Sequence, residues 1–99
     1  MATAEISVLP IGRDGASVGD VIAEMRRRLE AQDRVAFEMH GMGTSLEGET
    51  ADIFALCAEL HAVPFEHGLP RASTVIKVDE RTDREQTLAD KVASVERQL

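Results

Sequence analysis

Aromatic residues are nearly missing from this chain: there is no Trp, no Tyr and only three Phe among 99 residues. That scarcity argues against an aromatic cage for a quaternary amine and against a base-stacking platform for single strands. Cysteine is just as rare. Cys57 stands alone, so no internal disulfide can form and no Cys-x-x-Cys or Cys/His finger spacing exists. Positive charge is in deficit, with 11 basic residues against 18 acidic ones and a net charge of −7. Nucleic acid as a main partner needs clustered positive charge, and an anionic membrane surface needs it too; neither is expected here. No apolar run approaches the roughly 20 residues of a membrane helix. The N-terminal Met1-Ala2-Thr3-Ala4-Glu5 has no basic stretch leading into an apolar one, so the expectation is a cytoplasmic protein without a signal peptide.

What remains is 43% hydrophobic content, enough for one domain over residues 1–99. A chain of this size buries roughly 60–70% of its unfolded surface. Glu5–Leu9 reads as a first strand, stopped by Pro10 and Gly12. Ser17 is a good N-cap with Asp20 three residues on, and Val18, Val21, Ile22, Met25 and Leu29 follow as one helical stripe. Arg26, Arg27 and Arg28 fan out around that helix and read as solvated flank. A second strand, Arg34–His40, puts Val35, Phe37 and Met39 on one face. Gly41 and Gly43 bracket a turn, and Thr44–Gly48 completes a hairpin.

Thr50 reads as the cap of a second helix with the stripe Ile53, Leu56, Cys57, Leu60 and Val63; Pro64 should kink or shorten it, and Gly68 should close it. Pro70 leads into a fourth strand, Ala72–Asp79. Thr87 and Asp90 then form a capping box for a last helix with Leu88, Val92, Val95 and Leu99 in line. The order βαββαβ plus a C-terminal helix predicts an α+β, ferredoxin-like antiparallel sheet. Right-handed crossovers place strands one and three in the centre and the first two helices on one face. The opposite face is left for the third helix or for a second subunit, and a homo-oligomer is the expectation.

Enzyme signatures are absent. No phosphate-cradling glycine loop, Gly-x-Ser-x-Gly elbow or His-Glu-x-x-His occurs. His61 and His67, six apart, point to different faces of a helix, so no metal site is expected. Cys57 sits in an apolar stripe and reads as a buried thiol, not a nucleophile. The informative polar residues interrupt strands: Ser7, Thr44, Glu47, Thr74 and Lys77. Their plain reading is strand propensity, solvent contact and cross-strand pairing. Their functional reading is a pocket that hydrogen-bonds a small heterocycle. Alternation limits the second reading. Thr44 and Glu47 fall on opposite faces, as do Thr74 and Lys77, so a bulge or subunit boundary would be needed to gather all five.

Ser7-Val8-Leu9-Pro10-Ile11-Gly12, Met42-Gly43-Thr44-Ser45-Leu46-Glu47-Gly48, Thr74-Val75-Ile76-Lys77-Val78-Asp79-Glu80-Arg81-Thr82-Asp83 and Thr87-Leu88-Ala89-Asp90-Lys91-Val92-Ala93-Ser94-Val95-Glu96 occur in this order. Together they resemble the YkoF-like thiamine-binding protein family across the whole chain. The resemblance departs at His40-Gly41, where the family often has Thr-Pro, and at Pro64 within a helix that is usually uninterrupted there. It implies non-catalytic binding of thiamine or its hydroxymethylpyrimidine moiety, with vitamin buffering or delivery as the use, and assembly as a dimer or a dimer of dimers (a homotetramer). Thr44 is the first ligand-binding candidate, followed by Ser7, Glu47, Thr74 and Lys77. An aminopyrimidine offers an amino donor and ring-nitrogen acceptors that such side chains complement, and a cationic thiazolium suits an acidic protein. Neither a phosphate loop nor a metal-holding carboxylate set for a diphosphate is visible, so no cofactor is expected. The alternative is a ligand-free oligomeric regulatory or structural module of the same fold. A small enzyme using Glu47 or His40 as its acid–base group ranks below both.

Overall fold

A computed structural model describes residues 1–99. The order is β1 (Ala2–Ile11), α1 (Gly19–Glu30), β2 (Ala36–His40), β3 (Gly43–Gly48), α2 (Thr50–Glu66), β4 (Arg71–Glu80) and α3 (Leu88–Glu96). The strands form one antiparallel sheet in the order β2-β3-β1-β4. Strands one and three are therefore central, as the crossover argument requires. The α+β, ferredoxin-like βαββαβ fold with an added C-terminal helix stands as the sequence predicts.

The strand period sorts the side chains. Ala2, Ala4 and Ile6 of β1 and Leu46 of β3 turn to the helix side and are buried. Val21, Met25 and Leu29 of α1 close over them, with Ile53, Leu56, Cys57, Leu60 and Val63 of α2, to make one continuous core. At about 25 cal/mol per Å² of apolar surface, burying each large side chain contributes roughly 1.5–3 kcal/mol. Burial also pushes the Cys57 thiol pKa up, so the thiol stays protonated and inert, as expected from its apolar stripe.

Several boundaries differ from expectation for local reasons. β1 runs on through Pro10 to Ile11, because β3 pairs only with residues 2–6 and the second half of β1 is bonded on the β4 side alone. A proline is tolerated on a strand's unpaired side. β2 begins at Ala36 and not at Arg34. The Gln32 side chain donates to the carbonyls of Leu29 and Val35 and accepts from the amides of Arg34 and Val35, which holds those residues in a turn. Ser17 does not cap α1; Val18 occupies that position without a side-chain bond, and Asp20 pairs at 2.5 Å with Arg13 instead.

Thr50 is the first helical residue of α2, not its cap, and its hydroxyl donates to Glu80 at 2.8 Å. Pro64 does not end α2, which continues to Glu66. Its missing N–H falls in the last turn, and Gly68 at φ +79° then lets the chain reverse, with the Leu69 amide donating to the Pro64 carbonyl. Thr87 and Asp90 form the capping box of α3 as predicted.

α3 lies over the sheet face away from α1 and α2. Its attachment is polar: the Leu88 amide donates to Glu47 at 2.6 Å, and Lys91 bonds Asp79. Its expected apolar line is largely outside, with Val92 59%, Val95 62% and Leu99 99% exposed.

Candidate functional site

The short reach of β3 opens the site. Beyond Ile6, β1 has no neighbour on the β3 side, because β3 begins at Gly43 and the chain turns back through Gly41 and Met42 into β2. The gap is roofed by α1. A cavity of about 320 Å³ results, bounded by β1 from Ile6 to Pro10, by the hairpin from Met39 to Thr44, and by Val18, Ile22, Met25 and Leu29 of α1. Gly43 is needed here: a side chain at this position would put Cβ 2.8 Å from the Ile6 carbonyl oxygen.

The walls are mainly aliphatic side chains and thioethers. Thr44 faces this side, as Leu46 does, and is only 6% exposed. Its hydroxyl takes no part in the side-chain hydrogen bonds of the fold, whereas its neighbour Ser45 bonds His40 Nε2 at 3.3 Å on the other face. Thr44 therefore offers a donor and an acceptor to an otherwise apolar chamber. His40 is the one titratable residue of the lining, and its ring turns towards Ser45 and Glu5, the latter at 3.6 Å.

The sheet separates the other candidates as alternation requires. Thr74 shares the helix side with Thr44 but lies on β4, where its hydroxyl bonds His61 Nδ1 at 2.6 Å. Ser7 borders the cavity with its backbone position, while the strand period turns its side chain to the far face. Glu47 is on that far face too, engaged by the Leu88 amide. Lys77 lines a separate polar groove under α3 with Thr3, Glu5, Ser45, Asp79 and Lys91. No bulge interrupts the β1–β4 register, so within one chain the five do not converge.

Sequence reasoning passed over Met25, Met39 and Met42 as cavity residues. Only the spacing of Met39 and Met42 across the turn hinted at it. No group of three or more His, Cys, Asp or Glu side chains is placed to hold a metal ion. No helix is long and apolar enough to cross a membrane.

Known proteins resemble this chain over nearly its whole length. The UPF0045 protein YqgV of Bacillus subtilis is 36% identical over 102 residues, covering 100% of this chain and 98% of its own. A UPF0045 protein of Methanothermobacter thermautotrophicus is 34% identical over 100 residues and 100% of both chains. The crystal structure of the hypothetical protein MJ1052 from Methanocaldococcus jannaschii superposes with a TM-score of 0.84 at 30% identity, covering 96% of this chain and 95% of that one. A Thermotoga maritima structure, provisionally assigned to thiamine biosynthesis/salvage, shares the fold with a TM-score of 0.76 at 23% identity, covering 95% and 97%. The family model described as thiamine-binding protein matches residues 4–96, and the chain belongs to that family.

Proposed function

We propose that this protein binds thiamine through its hydroxymethylpyrimidine half, or that pyrimidine alone, without transforming it. The observation that carries the reading is Thr44: a residue only 6% exposed whose hydroxyl, unused by the fold, stays accessible from a mainly apolar cavity of about 320 Å³. Small-molecule pockets run from about 300 to 1,000 Å³ and combine apolar walls with a few placed polar groups. A chamber at the low end of that range suits one heterocyclic ring, with the cationic thiazolium left towards the mouth. Membership of the thiamine-binding family supports the choice of heterocycle. The thioethers of Met25, Met39 and Met42 supply soft contacts for a ring face or edge. A binder and not an enzyme is favoured because the lining holds no acid–base pair, and His40 is directed at Ser45 and Glu5.

The test is calorimetric titration with thiamine and with hydroxymethylpyrimidine, followed by prolonged incubation read by proton NMR. Saturable heat with both ligands and unchanged ligand spectra are expected. No heat and no rise in melting temperature at about millimolar ligand would reject binding and leave the ligand-free module. Conversion of either compound would reject the non-catalytic reading.

A further inference from the structure

A second covered threonine stands on the other face of the sheet. Thr3 is only 3% exposed, yet its hydroxyl enters none of the side-chain hydrogen bonds of the fold. Covered hydroxyls ordinarily find a partner. No fully enclosed polar side-chain atom is left unbonded in this chain, so the Thr3 hydroxyl is reached from open space and is not sealed in packing. That space is the groove under α3, about 230 Å³, bordered by Thr3, Glu5, Ser45, Lys77, Asp79 and Lys91. Thr3 and Glu5 of β1 oppose Asp79 and Lys77 of β4, and the strand period keeps these four side chains on one face.

The groove is balanced in charge but not paired throughout. Two carboxylates and two ammonium groups border it, in a protein of net charge −7. Asp79 is taken by Lys91, which ties α3 to the sheet. Glu5 leans away from β4, towards His40 Nε2 at 3.6 Å. Lys77, directly across the ladder from Glu5, is thereby left without an ion pair. Opposite charges facing one another across a ladder attract, so two that stay apart leave room for a molecule carrying both signs.

We infer that the groove under α3 is a second binding site, for a small zwitterion of the α-amino acid type. The ligand carboxylate meets the Lys77 ammonium and accepts from the Thr3 hydroxyl, and the ligand ammonium donates to the Glu5 carboxylate. A ligand of one sign alone would satisfy Lys77 or Glu5 and leave the other unmatched beneath α3. The volume falls below the range of about 300–1,000 Å³ for drug-sized ligands, which restricts the guest to a short side chain. The groove shares no residue with the chamber behind Thr44, so its occupancy is measured separately from that of the pyrimidine.

Amide NMR titration with glycine, L-alanine and L-serine tests this. Saturable shifts at Thr3, Lys77 and Leu88 are expected with at least one of them. Ethanolamine and 3-hydroxypropionate, which carry one charge each, should bind about tenfold more weakly or not at all. Lys77→Met keeps the aliphatic stem and should weaken the amino acid about tenfold; Thr3→Val keeps the shape without the hydroxyl and should weaken it about three- to tenfold. Both variants should retain the parent circular dichroism spectrum, and saturating hydroxymethylpyrimidine or thiamine should leave amino acid affinity unchanged. No saturable shift with any of the three amino acids at about 100 mM would overturn the inference. So would equal binding of either singly charged compound, displacement by thiamine, or a Lys77→Met protein of native circular dichroism that binds as the parent does.

Discussion

At the scale of single residues, a few side chains have neighbours that leave them little freedom. Thr44 combines burial with an unused hydroxyl, so Thr44→Val keeps the shape and removes the hydrogen-bonding capacity. One lost hydrogen bond is worth roughly 0.5–1.5 kcal/mol, and the expected outcome is a three- to about tenfold weaker affinity in calorimetry with an unchanged melting temperature of the free protein. Gly43 works differently. Adding a methyl group would place Cβ 2.8 Å from the backbone oxygen of Ile6, and backbone cannot swing aside as a flexible side chain can. Gly43→Ala should therefore shift the hairpin against β1, lowering both the melting temperature and ligand affinity. Leu46 is fully buried on the same strand, and Leu46→Ala should cost about 2–5 kcal/mol in urea unfolding, with the ligand site affected only through stability.

At the scale of elements, α3 differs from α1 and α2 in how it is attached. No residue of α3 is buried, and its ties are Leu88 to Glu47 and Lys91 to Asp79, with Asp90 closing the cap. The Lys91 ammonium, bonded to Asp79, holds that carboxyl below the usual value of 3.8, and the backbone and side-chain bonds of Thr87 do the same for Asp90. A carboxylate whose folded pKa is depressed contributes stability above its unfolded pKa, and the contribution is lost as pH falls through the folded value. α3 should thus loosen as pH drops below about 4, before the two-layer core responds. Hydrogen exchange of the α3 amides at pH 3 and pH 7 checks this; equal protection at both would contradict it.

Most of this element plan was legible in the sequence, because the stripes of α1 and α2 and the alternation of β1 to β4 are strong periodic signals. The caps of α1 and α2 were less so. Ser17 and Thr50 carry the right side chains for capping, but Asp20 is drawn to Arg13 and Thr50 to Glu80, contacts that depend on distant parts of the chain. The apolar line of α3 announced a buried face, yet the helix is held by polar groups and leaves Val92, Val95 and Leu99 outside. The candidate site was legible in part for a related reason. Alternation already divided Thr44 from Glu47, but that Thr74 meets His61 and that Glu47 meets Leu88 follows from how α2 and α3 dock, which spacing alone does not encode.

At the scale of the molecule, the sheet is unevenly used. Its helix side carries the core and the cavity; its other side carries a polar groove beneath α3; its β4 margin and the outer stripe of α2 expose apolar surface that the single chain does not cover. The cavity lies at the hairpin end between β1, β3 and α1, and no residue of β4 lines it. Arg71→Glu should leave pyrimidine affinity within about twofold of the parent protein, because surface charges far from a site act weakly through screened solvent. Calorimetry on that variant checks it, and a large loss of affinity would mean that the site extends to the β4 margin.

Under the proposed function, the pyrimidine occupies the chamber behind Thr44. Methyl-labelled methionine distinguishes this from every other placement, since Met25, Met39 and Met42 line that chamber while Met1 lies outside it. On titration with hydroxymethylpyrimidine, the NMR signals of those three methyl groups should move together and saturate, with Met1 unmoved. Saturable binding that leaves all three in place would contradict it.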